Sequence, residues 1–300
     1  MGEVALLFSG QGAQYPGMGQ DLYDNSTAAR EVYDTLEAMR PGIKALCFSS
    51  TAEELRITVN TQPAMFATEC AIAAALAEKG LTFSAVAGFS LGEIAALVQA
   101  GVVSLEDGFR IVCERARLMQ MVTEKYETGM SAILKLSNEK VEELCSRVSD
   151  VYPVNYNCPG QVVVSGLVSS LPEFEELVKE EGGRAMRLAV SGGFHSPFMK
   201  EAGDMFAEVL KEFDFRKPSM PIYSNVTGQV YDGDMKELLS RQISSPVRWQ
   251  TLLENMMAKG IRTFVESGPG TTLCGLVKKT DKTAGALSAA TWQAIQDLSI

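Results

Sequence analysis

A strand that gives way to a helix through a serine set between two glycines restricts a chain to folds in which that turn stands open beside a sheet. Residues 85–101, AVAGFSLGEIAALVQAG, are built this way. Val86 and Ala87 end a short apolar stretch that reads as a buried strand. From Leu91 on, apolar residues fall at Leu91, Ile94, Ala95, Leu97 and Val98, which is helical spacing, and Gly101 supplies a stop. Between the two lies Gly88-Phe89-Ser90-Leu91-Gly92, the G-x-S-x-G elbow pattern. Its glycines let the backbone double back, so the serine oxygen projects at a helix N-terminus. Free N–H groups and partial positive charge there can hold an oxyanion. Two readings of Ser90 stand at this point: a nucleophile, or a serine that caps the helix.

A serine nucleophile needs a base. The chain of 300 residues contains one histidine, His195, so only that residue can supply an imidazole. It lies in SGGFHSPFMK, with two glycines before it and Pro197 after it, a loop able to hold a ring in a fixed orientation. The plainer reading is a partly buried structural histidine.

Arg115 is the third candidate. On a helical wheel begun at Leu105, Leu105, Phe109, Val112 and Ala116 form one apolar side, with Ile111 and Leu118 further round. Arg115 falls between those groups, while Glu106, Arg110, Glu114 and Arg117 take the other face. A buried guanidinium calls for an anion, because an unpaired charge is costly to desolvate. The wheel allows an internal carboxylate, snorkelling to water, or a substrate carboxylate gripped bidentately.

The length suits one large domain or a domain with a smaller one inserted. Residues 129–189 read as a separate unit: strand GMSAILKL, helix NEKVEELCSRV, strands VYPVNYN and QVVVSG joined at CPG, helix SLPEFEELVKEEGG, and strand RAMRLAV. That order is the ferredoxin-like split β-α-β-β-α-β. Before it, VALLFSG reads as a strand leading to GQGAQYPGMG, whose glycines permit close backbone approach. Helical patterns are expected over about 21–39 and about 61–79, the latter entered by TQP, and Ser104 with Asp107 resembles a capping box.

The net charge of −10 makes a nucleic-acid partner unexpected, although an acidic surface can carry a local basic patch. The six cysteines include no C-x-x-C, so they read as reduced core residues of a cytoplasmic protein, and no metal site is expected. No apolar run reaches membrane-spanning length, and the start lacks the basic region of a signal peptide.

Taken in order, GQGAQYPGMG, GFSLGE, RARLMQ, NYNCPGQVVVSG, GGFHSPFM, PVRW and ESGPG resemble the malonyl-CoA:acyl carrier protein transacylases and the related acyltransferase domains of polyketide synthases, over about residues 4–280. The resemblance implies an α/β fold: a large serine-hydrolase-like domain with a parallel-sheet core, 1–127 and 191–300, and an inserted ferredoxin-like subdomain, 128–190. It implies acylation of Ser90 with His195 as base, and the carbonyl of Gln242 orienting the ring. The backbone N–H groups of Gln11 and Leu91 become the oxyanion hole, and Arg115 pairs with the free carboxylate of malonate. Asn155 matches a position near the site. Phe89 stands where the family commonly has histidine, and Phe194 is bulky where extender choice is tuned, which favours malonyl over methylmalonyl.

The implied substrate is a coenzyme A thioester, malonyl-CoA, with no permanently bound cofactor. The implied partner is an acyl carrier protein in fatty acid synthesis, with no membrane partner. A monomer is expected. Because carrier proteins of this system are acidic, Arg184, Arg187, Lys278 and Lys279 are the candidate docking cations. Rival readings are a stand-alone acyltransferase for a polyketide synthase, a serine esterase or thioesterase, and a non-catalytic interaction module. Against the hydrolase, about a third of the chain follows His195, which an α/β-hydrolase would place late.

Overall fold

The computed structural model describes residues 3–190 and 192–299, so the proposed domain limits Met1, Ser191 and Ile300 lie outside the described residues. The chain opens with β1 (Glu3–Phe8), then α1 (Gln20–Asn25), α2 (Thr27–Met39), α3 (Ile43–Phe48), α4 (Thr58–Glu78), β2 (Ala85–Gly88), α5 (Gly92–Gln99) and α6 (Leu105–Thr123). A smaller unit follows: β3 (Thr128–Leu134), α7 (Asn138–Arg147), β4 (Val151–Cys158), β5 (Gln161–Leu167), α8 (Leu171–Glu180) and β6 (Arg184–Arg187). The chain then returns through α9 (Lys200–Leu210), β7 (Ile222–Tyr223), α10 (Met235–Gln242), α11 (Trp249–Ala258), β8 (Ile261–Ser267), α12 (Thr272–Thr280), β9 (Gly285–Ser288) and α13 (Trp292–Asp297).

The large sheet is parallel throughout, in the order β7-β2-β1-β8-β9. Both its faces are covered, so its central strands are continuously apolar rather than alternating. Leu6 and Phe8 of β1 face the core built by α2, α4, α5 and α6, while Ala5 and Leu7 face that of Trp249, Leu253 and Leu273. Register places the site. Phe8 of β1 pairs with Gly88 of β2, so the glycine-rich loop and the serine elbow leave the sheet at one end, side by side. That end is the carboxyl edge of the strands, where open α/β sheets bind ligands.

The inserted sheet is antiparallel, in the order β4-β5-β3-β6, and it has two interiors. One face packs Ile133, Val162 and Val164 against Leu144, Phe174 and Val178 of its own helices. The other sends Met130, Val154 and Val163 into the main core.

Two boundaries differ from the sequence reading for physical reasons. Helix α4 begins at Thr58, ahead of TQP, with Pro63 inside it. Proline removes the donor that would satisfy the carbonyl of Val59. Arg40 replaces it, donating from Nη1 to that carbonyl at 3.1 Å. The segment over 21–39 is two helices, divided at Ser26, whose side chain caps α2 by accepting from Ala29 N. At the C-terminus Asp21 accepts from Trp292 N at 2.7 Å, and Lys79 Nζ donates to the carbonyls of Ile295, Gln296 and Leu298. The segment beyond the resemblance, after about residue 280, is thus bonded to the domain.

Candidate active site

Close packing explains the elbow's glycines. A Cβ on Gly88 would lie 1.9 Å from the Gly92 carbonyl carbon, and one on Gly92 would lie 2.5 Å from the Ser9 oxygen. The left-handed backbone falls instead to Ser90 (φ 55°), and His195 shares it (φ 60°). Non-glycine residues hold such angles only where their surroundings impose them. Asn225 does so at the elbow: its Oδ1 accepts from Ser90 N at 2.7 Å and its Nδ2 donates to the Gly88 carbonyl at 2.7 Å. At the histidine loop, Gly193 N donates to Thr128 Oγ1 at 2.8 Å, and His195 N donates to the Ile243 carbonyl at 3.2 Å.

These restraints bring Ser90 Oγ to 2.7 Å from His195 Nε2, while His195 Nδ1 lies 2.8 Å from the carbonyl of Gln242. A carbonyl only accepts, so the proton sits on Nδ1 and Nε2 offers its lone pair to the serine. Burial, and secondarily the charge of Arg115, lowers the imidazole's pKa to about 4, against the raising effect of the Gln242 and Ser245 carbonyls. The ring is therefore neutral at pH 7.

Arg115 lies within α6, 1% exposed. Nη1 donates to Gln62 Oε1 at 2.7 Å; Nη2 donates to Gln242 Oε1 at 2.8 Å and to Ser90 Oγ at 3.1 Å. Its Nε has no partner. Among the described residues it forms no ion pair, so no internal carboxylate grips it directly. Burial lowers its pKa to about 10, with Glu93 acting in opposition, which leaves it charged at neutral pH. The site thus holds a cation bonded to neutral oxygens, one of them the serine's.

Gln62, Glu93 and Asn225 belong to this arrangement and were not singled out in the sequence. Nor was the side chain of Gln242, whose Nε2 donates to the Ser90 carbonyl at 2.8 Å and to Glu93. A signal was present for Gln62, a polar residue in a helix buried nearly all round.

An inner pocket of about 80 Å³ is lined by Gln11, Gln62, Ser90, Leu91, Arg115, Phe194 and His195, with Phe89, Asn155, Leu188 and Val190 also on its wall. Those last four and Gln11 also line an outer cavity of about 510 Å³, bounded by Gly10–Gln14 on one side and by Asn157, Gln161 and Leu276 on another. The backbone N–H groups of Gln11 and Leu91 have no hydrogen-bond partner among the described residues. The ring of Phe89 packs against Trp249, centroids 5.2 Å apart, so an aromatic contact occupies the side of the elbow where the family's histidine is expected. The Oδ1 atoms of Asn155 and Asn157 are buried without partners.

The predicted docking cations do not all face this cavity. Lys279 Nζ donates to Gln161 Oε1, at the cavity wall, and Lys278 Nζ donates to the Ala284 carbonyl. On β6, Arg184 and Met186 share the face of Ala132, which lines the cavity. Arg187 alternates to the opposite face and pairs with Glu175 of α8. Arg56, which the sequence reading did not name, also lines the outer cavity.

Known proteins resemble this chain over nearly its whole length. The family model of the acyl transferase domain matches residues 5–296. The chain is 40% identical over 290 residues to the malonyl CoA-acyl carrier protein transacylase of Bacillus subtilis, covering 94% of this chain and 92% of that one. The crystal structure of the corresponding transacylase from Clostridium perfringens superposes with a TM-score of 0.94 at 36% identity, covering 98% and 95% of the two chains. A malonyl-transacylase in complex with a type II polyketide synthase acyl-carrier protein superposes with a TM-score of 0.95 at 34% identity, covering 98% of each. Among the described residues, no helix is long and apolar enough to cross a membrane.

Proposed function

The chain belongs to the malonyl-CoA:acyl carrier protein transacylase family of acyl transferases, and from that premise we propose that it carries malonyl from malonyl-CoA to the phosphopantetheine thiol of an acyl carrier protein by way of a malonyl ester on Ser90. The observation that carries this reading is the line Ser90 Oγ–His195 Nε2–His195 Nδ1–Gln242 carbonyl, with Arg115 on the same serine oxygen.

Malonyl-CoA enters with its carboxylate toward Arg115, which exchanges its bond to Ser90 Oγ for a bidentate grip on the anion. Ser90 Oγ attacks the thioester carbon as its proton passes to His195 Nε2. The carbonyl oxygen, now negative, meets the free N–H groups of Gln11 and Leu91. The C–S bond breaks, and the coenzyme A thiolate takes the proton back from His195. In the second half the carrier thiol gives its proton to His195, its sulfur attacks the malonyl ester, and Ser90 recovers its proton as it leaves. The Gln242 carbonyl takes the place of an orienting acid and stabilises the imidazolium in each half. Phe194 narrows the pocket against a branched extender. No resident cofactor or metal enters the scheme.

On the same reading the enzyme acts in the cytoplasm as a monomer, with its catalytic domain at 1–127 and 191–300 and the insert at 128–190. Arg184, Lys278 and Lys279 contribute to carrier docking. Fatty acid synthesis is the primary pathway. The structural match to a transacylase bound to a polyketide carrier protein favours service to a polyketide synthase as the second reading. Mixing the enzyme with malonyl-CoA and weighing it intact should show one added malonyl group, and none for Ser90→Ala. Stoichiometric malonylation of Ser90→Ala would place the nucleophile elsewhere. The carrier charged faster by the acylated enzyme separates the two pathways.

A further inference from the structure

Behind Ser90, in the first turn of α5, lies a carboxylate that the reaction scheme does not use. Glu93 is fully buried. Its Oε1 accepts from the Tyr231 hydroxyl, and its Oε2 accepts from Gln242 Nε2 and, at 3.4 Å, from Asn225 N. Because Nε2 of Gln242 is held by Glu93 and the Ser90 carbonyl, Oε1 of the same amide faces Arg115, accepting from Nη2 at 2.8 Å. A turned amide would present N–H groups to a guanidinium. Glu93 thus fixes the one orientation in which Gln242 bridges a buried anion to a buried cation. Arg115 has no ion pair among the described residues, and Glu93 is the acidic group whose charge acts on it.

We propose that Glu93 is the buried counter-charge of Arg115 and, through Gln242, a positioning residue that sets how strongly the pocket favours an acyl group bearing a carboxylate. The proposal rests on the assignment of Arg115 to the malonyl carboxylate. A second carboxylate arriving at Arg115 shares the guanidinium with Glu93, and like charges in one buried volume oppose each other. The titratable groups facing Glu93 are Tyr231 and Arg115, with His195 beyond the Gln242 carbonyl. Burial and Glu93 itself push the Tyr231 hydroxyl well up, so it remains a donor. Burial raises Glu93 to about 7, against the donors of Tyr231, Gln242 and Asn225 and the charge of Arg115.

The sign follows. Below that pH Glu93 is neutral and Arg115 grips an anion unopposed. Above it Glu93 is ionised and the grip weakens. Binding malonyl therefore takes up a proton near neutral pH, whereas binding acetyl does not.

The test is acylation kinetics of the full chain with malonyl-CoA and acetyl-CoA at pH 6, 7 and 8. Wild-type KM for malonyl-CoA should rise with pH relative to that for acetyl-CoA. Glu93→Gln keeps an acceptor for Gln242 and removes the charge. It should abolish that rise and increase the malonyl-to-acetyl ratio of kcat/KM at pH 8 by at least about tenfold, the effect expected for unit charges within about 12 Å of each other at an effective dielectric of about 20. A folded Glu93→Gln protein with the wild-type ratio and pH profile overturns the proposal. Tyr231→Phe, which removes one donor and leaves the charge, should move the rise to higher pH; if Glu93→Gln does not fold, an unmoved profile in Tyr231→Phe is the overturning result. Arg115→Ala separates this inference from its premise. A ratio unchanged by Arg115→Ala refutes the carboxylate assignment itself, whereas a ratio lowered by Arg115→Ala yet unmoved by Glu93→Gln refutes only the role of Glu93.

Discussion

Cations border the same passage at its two ends and are held in opposite ways. Arg115, at the inner end, is buried and its donors reach Gln62, Gln242 and Ser90, each of which has a fixed place of its own. At the outer end, Lys279 reaches Gln161 and the exposed Arg56 stands on the cavity wall. The interior arrangement is desolvated, and burial is what chiefly lowers the pKa of His195, with the charge of Arg115 second, and what raises that of Glu93 against the charge of Arg115. The rim acts through screened water, where a single ion contributes little. Chemistry at one end and capture of a large partner at the other make different demands, and single substitutions should divide accordingly.

The largest effect is expected at His195. His195→Ala should slow Ser90 acylation by about 10²–10⁴-fold, the usual contribution of a positioned general base. Its pH signature sharpens the contrast with a solvated histidine. Since the buried ring stays neutral down to about 4, acylation at saturating malonyl-CoA, where the pH dependence of KM drops out, should remain near its pH 7.5 value at pH 5.5 in rapid-quench measurements. A limb at the ordinary 6.5 would show an exposed, unperturbed imidazole. Stability carries the same sign: the folded pKa is depressed, so stability present above 6.5 is lost as pH falls toward about 4. Urea titrations of wild type and His195→Ala should therefore converge on acidification.

Next in size is the clamp on the elbow. Asn225→Ala removes the acceptor of the part-buried Ser90 N and the donor to the buried Gly88 carbonyl. Leaving such groups unpaired costs about 1–3 kcal/mol each. The midpoint of urea unfolding should fall, and acylation should slow because the left-handed serine loses its hold. A variant as stable and as fast as wild type would mean that packing of Gly88 against Gly92 suffices to shape the turn.

Legibility in the sequence follows the same division. The inserted unit could be read strand by strand because its signals are local: short apolar strands, amphipathic helices and a CPG turn between β4 and β5. Ser90 and His195 stood out through the elbow and through being the only pairing of their kind. Glu93 and Asn225 did not, because their roles consist of contacts across more than a hundred residues, which no local pattern encodes. The start of α4 was hidden because Arg40, far upstream, supplies what Pro63 removes. Arg187 was within reach. It lies three positions from Arg184 on a strand of period two, so the two cations must face opposite ways.

The smallest effect, and the one that most directly probes the rim, is expected at α12. A chain at −10 gains no long-range attraction toward an acidic carrier, so docking depends on local positive charge. Lys279 is the α12 lysine placed for this, because its ammonium sits on Gln161 at the cavity wall. Lys278 turns back to the Ala284 carbonyl within its own neighbourhood. Lys279→Glu should therefore raise KM for the carrier several-fold and leave KM for malonyl-CoA less affected, while Lys278→Glu does less. Rising salt should weaken transfer in the wild type and reduce the difference between the two proteins, since exposed charges are screened within about 8–10 Å near physiological ionic strength. Arg187→Glu is the internal control: its partner Glu175 lies on the helix side of β6, so its effect should appear as lost stability of the inserted unit rather than a changed carrier KM. A carrier KM that responds to Arg187 and ignores Lys279 would move docking to the α8 face and end the assignment of the rim.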